Sequence, residues 1–264
     1  MKKNLLITYS ILLGCIAGAV AFVAPEVKMN GQAAASVTLP EHATTKAEFE
    51  KSKDIISSIP VLMDKAMRTN QQYKVLEGVV SIRLEERGEE ERIDLTIKQP
   101  DQFYVRRTPN SNNPADYEEA INDGSTVHIK DHKGKISTSK PFSKHPSENF
   151  SDLNKKINPD YNGTYLPIGG VNEMLHPEMF IQGMLTRGVV TVQGEEQFLG
   201  RVTTVIVVDL KNGKLGDRVT FWFDNDTGII LKIVDSDGDR PIRTMAFESI
   251  SFSEKPKPHA FQLK

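Results

Sequence analysis

The sequence predicts an α+β fold that is mainly antiparallel β, and two features carry this prediction. From Gly188 to Phe252, β-rich runs alternate with polar turns such as Asn225-Asp226-Thr227-Gly228 and Ser236-Asp237-Gly238-Asp239. Turns rich in Gly, Asp and Asn between runs of this length are typical of β-hairpins. Upstream, apolar residues recur at helical spacing over Thr45–Asn70, which predicts a long helix before the strands.

The composition is that of a globular protein, with 38% hydrophobic and 26% charged residues in a chain of 264. This length allows one large domain or two small ones. The net charge is −2, and no basic stripe occurs along the chain. We therefore expect no nucleic-acid partner.

Residues 1–24 predict a signal peptide or an N-terminal membrane anchor. Lys2 and Lys3 precede the uncharged segment Leu5–Ala24, and Ala19-Val20-Ala21 offers a small-residue cleavage site. Leu12-Leu13-Gly14-Cys15 resembles a lipobox in which Cys15 would be acylated, although the following residues stay apolar. In each case the protein is expected outside the cytoplasm, in the periplasm or at the cell surface, either secreted or anchored.

The rest of the chain divides into a linker over residues 25–43 and one domain over residues 44–264. Thr45-x-x-Glu48 forms a capping box at the start of the predicted helix, and Pro60 is expected to kink that helix. A second helix is predicted near Asn172–Thr186, with its start limited by Pro177. An insert of about residues 108–168 separates the two sets of strands.

Strict alternation predicts the first strands. In Val75–Glu85 the even positions are mostly apolar and the odd positions mostly polar, and the same period recurs around Ile93–Ile97 and Phe103–Val105. Short strands follow at Ser125–Lys130 and Lys135–Ser139, while Thr108–Glu118 is predicted to be a loop.

The later strands are predicted at Val202–Leu210, Asp217–Asp224, Ile229–Asp235 and Arg243–Phe252. In the last strand, Met245 and Phe247 have one parity and Ile250 and Phe252 the other. A β-bulge near Glu248-Ser249 would place all four on one face. Trp222 has the opposite parity to Phe221 and Phe223, so this strand is expected to be central or covered on both faces.

No reaction chemistry is visible in the sequence. His128-x3-His132 has no third ligand at suitable spacing, and Asp235-x-Asp237-Gly238-Asp239 lacks the Gly and Glu of a calcium loop. No nucleophile–base set, phosphate loop or cofactor motif occurs. The chain is thus expected to be no enzyme, with no metal and no cofactor.

The order of elements resembles the LolA/RseB-like superfamily of periplasmic lipoprotein carriers and envelope sensor-regulators. The resemblance covers residues 45–255 and includes LHPEMFIQGML, the strand VVTVQGEEQFLGRVTTVIVVDL, and the hairpin with Trp222-x-Asp224 and Thr227-Gly228. It implies a curved, unclosed, β-barrel-like sheet with helices packed on its concave side. The concave side holds acyl chains in the carriers and forms a sensing surface in the regulators.

The resemblance implies an extracytoplasmic binding protein that holds a lipid, an acylated protein or an apolar segment. The alternative is a membrane-anchored sensor that binds a transmembrane signalling protein, with the N-terminal segment left uncleaved. Methionine-rich helices suit an adaptable apolar surface, although these methionines can equally be ordinary core residues. The expected apolar lining is Leu62, Met63, Met67, Leu175, Met179, Trp222 and Met245.

Overall fold

A computed structural model describes residues 61–141, 164–177, 188–210, 213 and 216–263. Residues 1–60 lie outside this part, so the N-terminal segment, the linker, the capping box and Pro60 are not described. The strands are β1 Val75–Leu84, β2 Glu89–Lys98, β3 Gln102–Thr108, β4 Glu118–Asp123, β5 Val127–Lys130, β6 Ile136–Ser139, β7 Gly188–Phe198, β8 Arg201–Leu210, β9 Arg218–Asp224, β10 Ile230–Asp237 and β11 Arg240–Ser253. The helical segments are α1 (61–67), α2 Thr69–Gln72 and α3 Asn172–Leu175.

All eleven strands form one antiparallel sheet in the order β6-β5-β4-β3-β2-β1-β11-β10-β9-β8-β7. The sheet is not closed, because β6 and β7 are its edges among the described strands and do not pair with each other. This confirms the predicted class of a mainly antiparallel, unclosed sheet.

The sheet is curved. Arg201 at the start of β8 lies 4.9 Å from the ring of Phe252 at the end of β11. These strands are three places apart, so the two long side chains meet above β9 and β10. A bulge occurs at Glu248, because Val79 pairs with Ser249 while Val80 pairs with Phe247. The predicted bulge is therefore confirmed, and further register shifts in β7 and β10 add to the bending.

One apolar cluster covers the face of the sheet that contacts the helices, called here the inner face. It contains residues from β1 to β5 and from β7 to β11, together with Leu62 and Ala66 of α1 and Met174 and Leu175 of α3. In β1, β2 and β3, the inner face is buried and the other face carries mostly polar or half-buried residues. This difference accounts for the alternation seen in the sequence of these strands.

Several predicted elements differ from the structure. The segment predicted to be one strand over residues 189–210 is the β7–β8 hairpin, which turns at Leu199-Gly200 with both residues at positive φ. No strand was predicted directly after the loop Thr108–Glu118, yet β4 begins at its last residue, so β4, β5 and β6 extend the sheet within the predicted insert. The first helix is interrupted at Arg68. α3 ends at Leu175 because His176 precedes Pro177, which disfavours the helical conformation.

Candidate functional site

Helix α1 is seated on the turn between β9 and β10. Gly228 has a φ of 73° and lies so close to α1 that a Cβ there would be 2.4 Å from the Ala66 backbone nitrogen. Lys65 donates a hydrogen bond of 2.6 Å to the Asn225 carbonyl. This turn therefore fixes where α1 crosses the inner face.

The turn itself is held by the buried carboxylate of Asp224. Arg201 donates to both of its oxygens, at 2.8 and 3.0 Å, and the Thr227 backbone N–H donates at 3.0 Å. The Gly228 N–H donates to the Asp224 carbonyl at 2.8 Å. Asp224 of the Trp-x-Asp pattern and Gly228 of the Thr-Gly pattern are thus the two residues that position α1.

Residues 164–177 cover the inner face beside α1. Asn172 accepts a hydrogen bond from the Leu166 N–H at 2.9 Å and donates to the Leu166 carbonyl at 2.8 Å, which closes a compact loop. At Gly169, with a φ of 93°, the backbone approaches Ile93 and Val105 so closely that a Cβ would lie 3.3 Å from the Ile93 side chain. The loop and α3 together pack against β2, β3 and β10.

The structure brings together five of the seven residues predicted to line an apolar site. Leu62, Leu175 and Met245 are fully buried in the inner-face cluster. Met63 and Met67 are partly buried and pack against the same cluster from its border. Met179 lies outside the described residues.

Trp222 is not part of this group, because it lies on the opposite face of the sheet. Its register partner in β8 is Val205, whereas Phe221 pairs with the inner residues Ile206 and Ile233. The indole N–H donates to Glu196 at 2.8 Å, and the Lys232 ammonium lies 4.3 Å from the ring centroid. The sequence alternation identified an apolar residue on each face but did not indicate which face the helices cover.

At one end of the inner face, Arg243 of β11 binds two carboxylates from different elements. Its Nε is 2.5 Å from Asp235 of β10, and its Nη1 is 2.7 Å from Glu173 of α3. Burial raises the pKa of Glu173 and of Asp235, opposed by the attraction of Arg243. For Arg243, burial lowers the pKa but the two carboxylates raise it by more.

A second arginine on the same face has a similar arrangement. Arg107 of β3 donates two hydrogen bonds of 2.9 Å to Glu91 and one of 3.4 Å to Glu118. Neither ion cluster was predicted from the sequence. The alternation of the strands could have indicated the cluster around Arg243. Asp235 and Arg243 each lie two residues from an inward-facing apolar residue, Ile233 and Met245, and therefore point to the same face.

These groups do not form a catalytic or metal-binding arrangement. Among the described residues, no group of three or more His, Cys, Asp or Glu side chains is placed to hold a metal ion. His128 is half-buried, and its Nε2 lies 3.9 Å from a carboxylate oxygen of Asp123. No described helix is long and apolar enough to cross a membrane.

Comparisons with solved structures were made on this fold. The Pseudomonas aeruginosa MucA/MucB complex is similar with 12% identity and a TM-score of 0.47 over 77% of this chain and 60% of that chain. LprF from Mycobacterium bovis has 15% identity and a TM-score of 0.41, and the match covers 76% of this chain and 97% of LprF. A protein domain from Vibrio parahaemolyticus described as outer membrane lipoprotein-sorting has 7% identity and a TM-score of 0.29. The match covers 75% of this chain and 95% of that domain.

These three structures have TM-scores below 0.5 and identities of 15% or less, so their likeness carries nothing about the family, ligands or partners of this chain. The chain spans only 59–63% of the length of the MucB chains it matches. No family model matches the sequence, and no curated protein matches it.

Proposed function

We propose that this protein is a non-enzymatic binding protein of the cell envelope that holds an apolar ligand between its sheet and helices. The observation that supports this proposal is the inner face itself. Apart from the ion clusters around Arg243 and Arg107, it is apolar across the sheet from β5 on one side to β7 on the other. Among the described residues, only short helical segments and one loop cover it. The ligand class is a lipid, an acylated protein or an apolar peptide segment.

The border of the covered area supports the proposal further. Met63, Met67, Ile168 and Phe252 are partly buried hydrophobic residues packed against the cluster rather than inside it. Methionine side chains are flexible and polarizable, so they adapt to apolar partners of different shape. A ligand that enters between α1 and the sheet would contact these side chains before it reaches the buried cluster.

The test is a binding measurement on the purified protein. Native mass spectrometry of freshly purified material is expected to detect a copurified lipid. After its removal, a fluorescent fatty acid is expected to bind. Replacing both Met63 and Met67 by Asp places charge at the border and is expected to weaken the binding at least about tenfold.

The matched control is Val61→Asp, because Val61 is on the same helix but 60% exposed. It is expected to leave the affinity for the fluorescent fatty acid unchanged. Purified protein that carries no lipid and binds no fatty acid would contradict the proposal. Thermal unfolding of each variant separates loss of binding from loss of folding.

The second candidate function is a membrane-anchored sensor that binds a transmembrane signalling protein. The sequence feature that favours it is Lys2-Lys3 followed by the uncharged segment Leu5–Ala24, which is long enough to anchor the chain. Sequencing of the mature N-terminus and crosslinking in membranes test it. A cleaved N-terminus together with recovery of no membrane partner would overturn it.

A further inference from the structure

The ion cluster of Glu173, Arg243 and Asp235 contains one more carboxylate than its arginine can neutralise. Asp235 and Arg243 are register partners on adjacent strands, so their ion pair lies within the sheet. Glu173 comes from α3 and is the member that joins the covering segment 164–177 to this pair. The cluster therefore has an excess negative charge when both acids are ionised.

This excess charge is poorly solvated. The side chains of Asp235 and Arg243 are 3% and 12% exposed, and that of Glu173 is 20% exposed. Among the described residues, these three are the charged groups that form the contact between α3, β10 and β11. A buried, uncompensated charge is costly, and taking up one proton removes it.

We propose that this cluster is a pH-sensitive clamp, which binds the segment 164–177 to the sheet more tightly as the pH falls. When Glu173 is protonated, Arg243 remains paired with Asp235, so no net charge is left in the contact. When Glu173 is ionised, the contact must hold an excess charge and is weaker. The covering segment of the inner face is thus held more firmly as the pH falls.

The direction of the effect follows from linkage. Burial raises the pKa of Glu173 above its ordinary value, so the docked state binds the proton more tightly than the undocked state. The extra stability is fully present below the ordinary pKa of about 4.3 and is lost as the pH rises through the raised value. For one proton the change is at most about tenfold per pH unit.

The test is hydrogen–deuterium exchange of the full chain, corrected for the intrinsic pH dependence of exchange. Protection of residues 170–176 is expected to rise as the pH falls toward the ordinary glutamate pKa of about 4.3, by at most about tenfold per pH unit. Glu173→Gln keeps the shape and removes the charge. It is expected to give high protection already at neutral pH, with no further rise on acidification.

The matched control is Glu248→Gln, which makes the same change in the exposed pair between Glu248 and Arg92. It is expected to keep the wild-type pH dependence. A wild-type protection that does not change with pH, or a Glu173→Gln variant that responds to pH as the wild type does, would overturn the proposal.

A second set of variants tests the charge count without varying the pH. Glu173→Gln and Asp235→Asn each leave Arg243 with one carboxylate, so each is expected to keep or increase the protection of residues 170–176 at neutral pH. The double variant leaves the buried arginine unpaired and is expected to lower that protection at least about tenfold. Additive effects of the two changes would contradict the clamp.

Discussion

Gly228 lies directly against Ala66, so that the β9–β10 turn and helix α1 meet backbone to backbone. A Cβ at position 228 would also lie 2.5 Å from the Lys65 carbonyl carbon. Any side chain larger than hydrogen at position 228 must therefore displace α1 from the β9–β10 turn. The position also has a positive φ, which favours glycine independently of the contact.

Gly228→Ala is expected to lower the free energy of unfolding by about 2–4 kcal/mol, because overpacking adds to backbone strain. Gly88→Ala is the matched control. Gly88 has a φ of 60°, but nothing lies within 4 Å of the added Cβ, so only the strain of about 1 kcal/mol remains. Urea denaturation of both variants measures the difference, and equal losses would contradict the close contact.

Asp224→Ala is expected to destabilise the protein by about 3–5 kcal/mol, because it leaves the partly buried Arg201 without its two-bond partner. It also removes the acceptor for Thr227, so the turn under α1 loses its support. Thermal and urea unfolding measure the loss.

The control is Asp226→Ala at the same arginine. Asp226 also binds Arg201, at 3.0 Å, but its side chain is 80% exposed. A change within about 0.5 kcal/mol is expected for such a surface position. Similar losses in both variants would mean that burial of Asp224 is not the decisive factor.

Tyr104 on the outer face is predicted to resist ionisation. It is buried, and its hydroxyl donates a hydrogen bond of 2.8 Å to the buried Glu119. Burial, and after it the Glu119 hydrogen bond, raises the pKa of Tyr104. Stability from this group is complete below its ordinary pKa of about 10 and is lost as the pH rises toward the raised value.

The variant that tests this is Tyr104→Phe. At neutral pH it is expected to cost about 1–3 kcal/mol, because Glu119 loses a donor. Above about pH 10, its free energy of unfolding is expected to fall less steeply than that of the wild type, by up to about 1.4 kcal/mol per pH unit. Parallel pH profiles of the two proteins, measured by urea unfolding, would refute the assignment.

Trp222 and Leu175 are expected to respond differently in ligand binding, since they lie on opposite faces. Trp222→Phe removes a hydrogen bond to Glu196 at a half-buried site, so a loss of less than about 1 kcal/mol of stability and unchanged fatty-acid affinity are expected. Leu175→Ala opens the inner-face core, is expected to cost about 2–5 kcal/mol, and should change the affinity. Loss of fatty-acid binding in Trp222→Phe would contradict this expectation and indicate that Trp222 lines the ligand site.

Sequence patterns predicted the strands whose two faces differ in polarity. In β1, alternation gave the buried positions Leu76, Val80 and Ile82, and in β11 the change of parity gave the bulge at Glu248. These features are local, because burial of one face acts on every second residue. They could therefore be predicted without knowing which strands pair.

The features that depend on distant neighbours were missed. β4 begins with Glu118 and Glu119, which resemble a solvated turn, yet Glu119 is buried because Tyr104 and Lys130 supply its partners. The cluster around Arg243 requires α3 to reach β10 and β11, and no local pattern encodes that approach. For the same reason, the face occupied by Trp222 could not be assigned from alternation alone.

Strand β11 has a consequence for how the molecule can deform. Over residues 243–246 it pairs with both β10 and β1, whereas Arg240 and Pro241 pair with β10 alone and residues 247–253 pair with β1 alone. The two halves of the described sheet are thus joined through β11, and only its four residues 243–246 pair with a strand on each side. Because β11 connects the two halves of the described sheet, a change in the angle between them is expected to be taken up within these four residues.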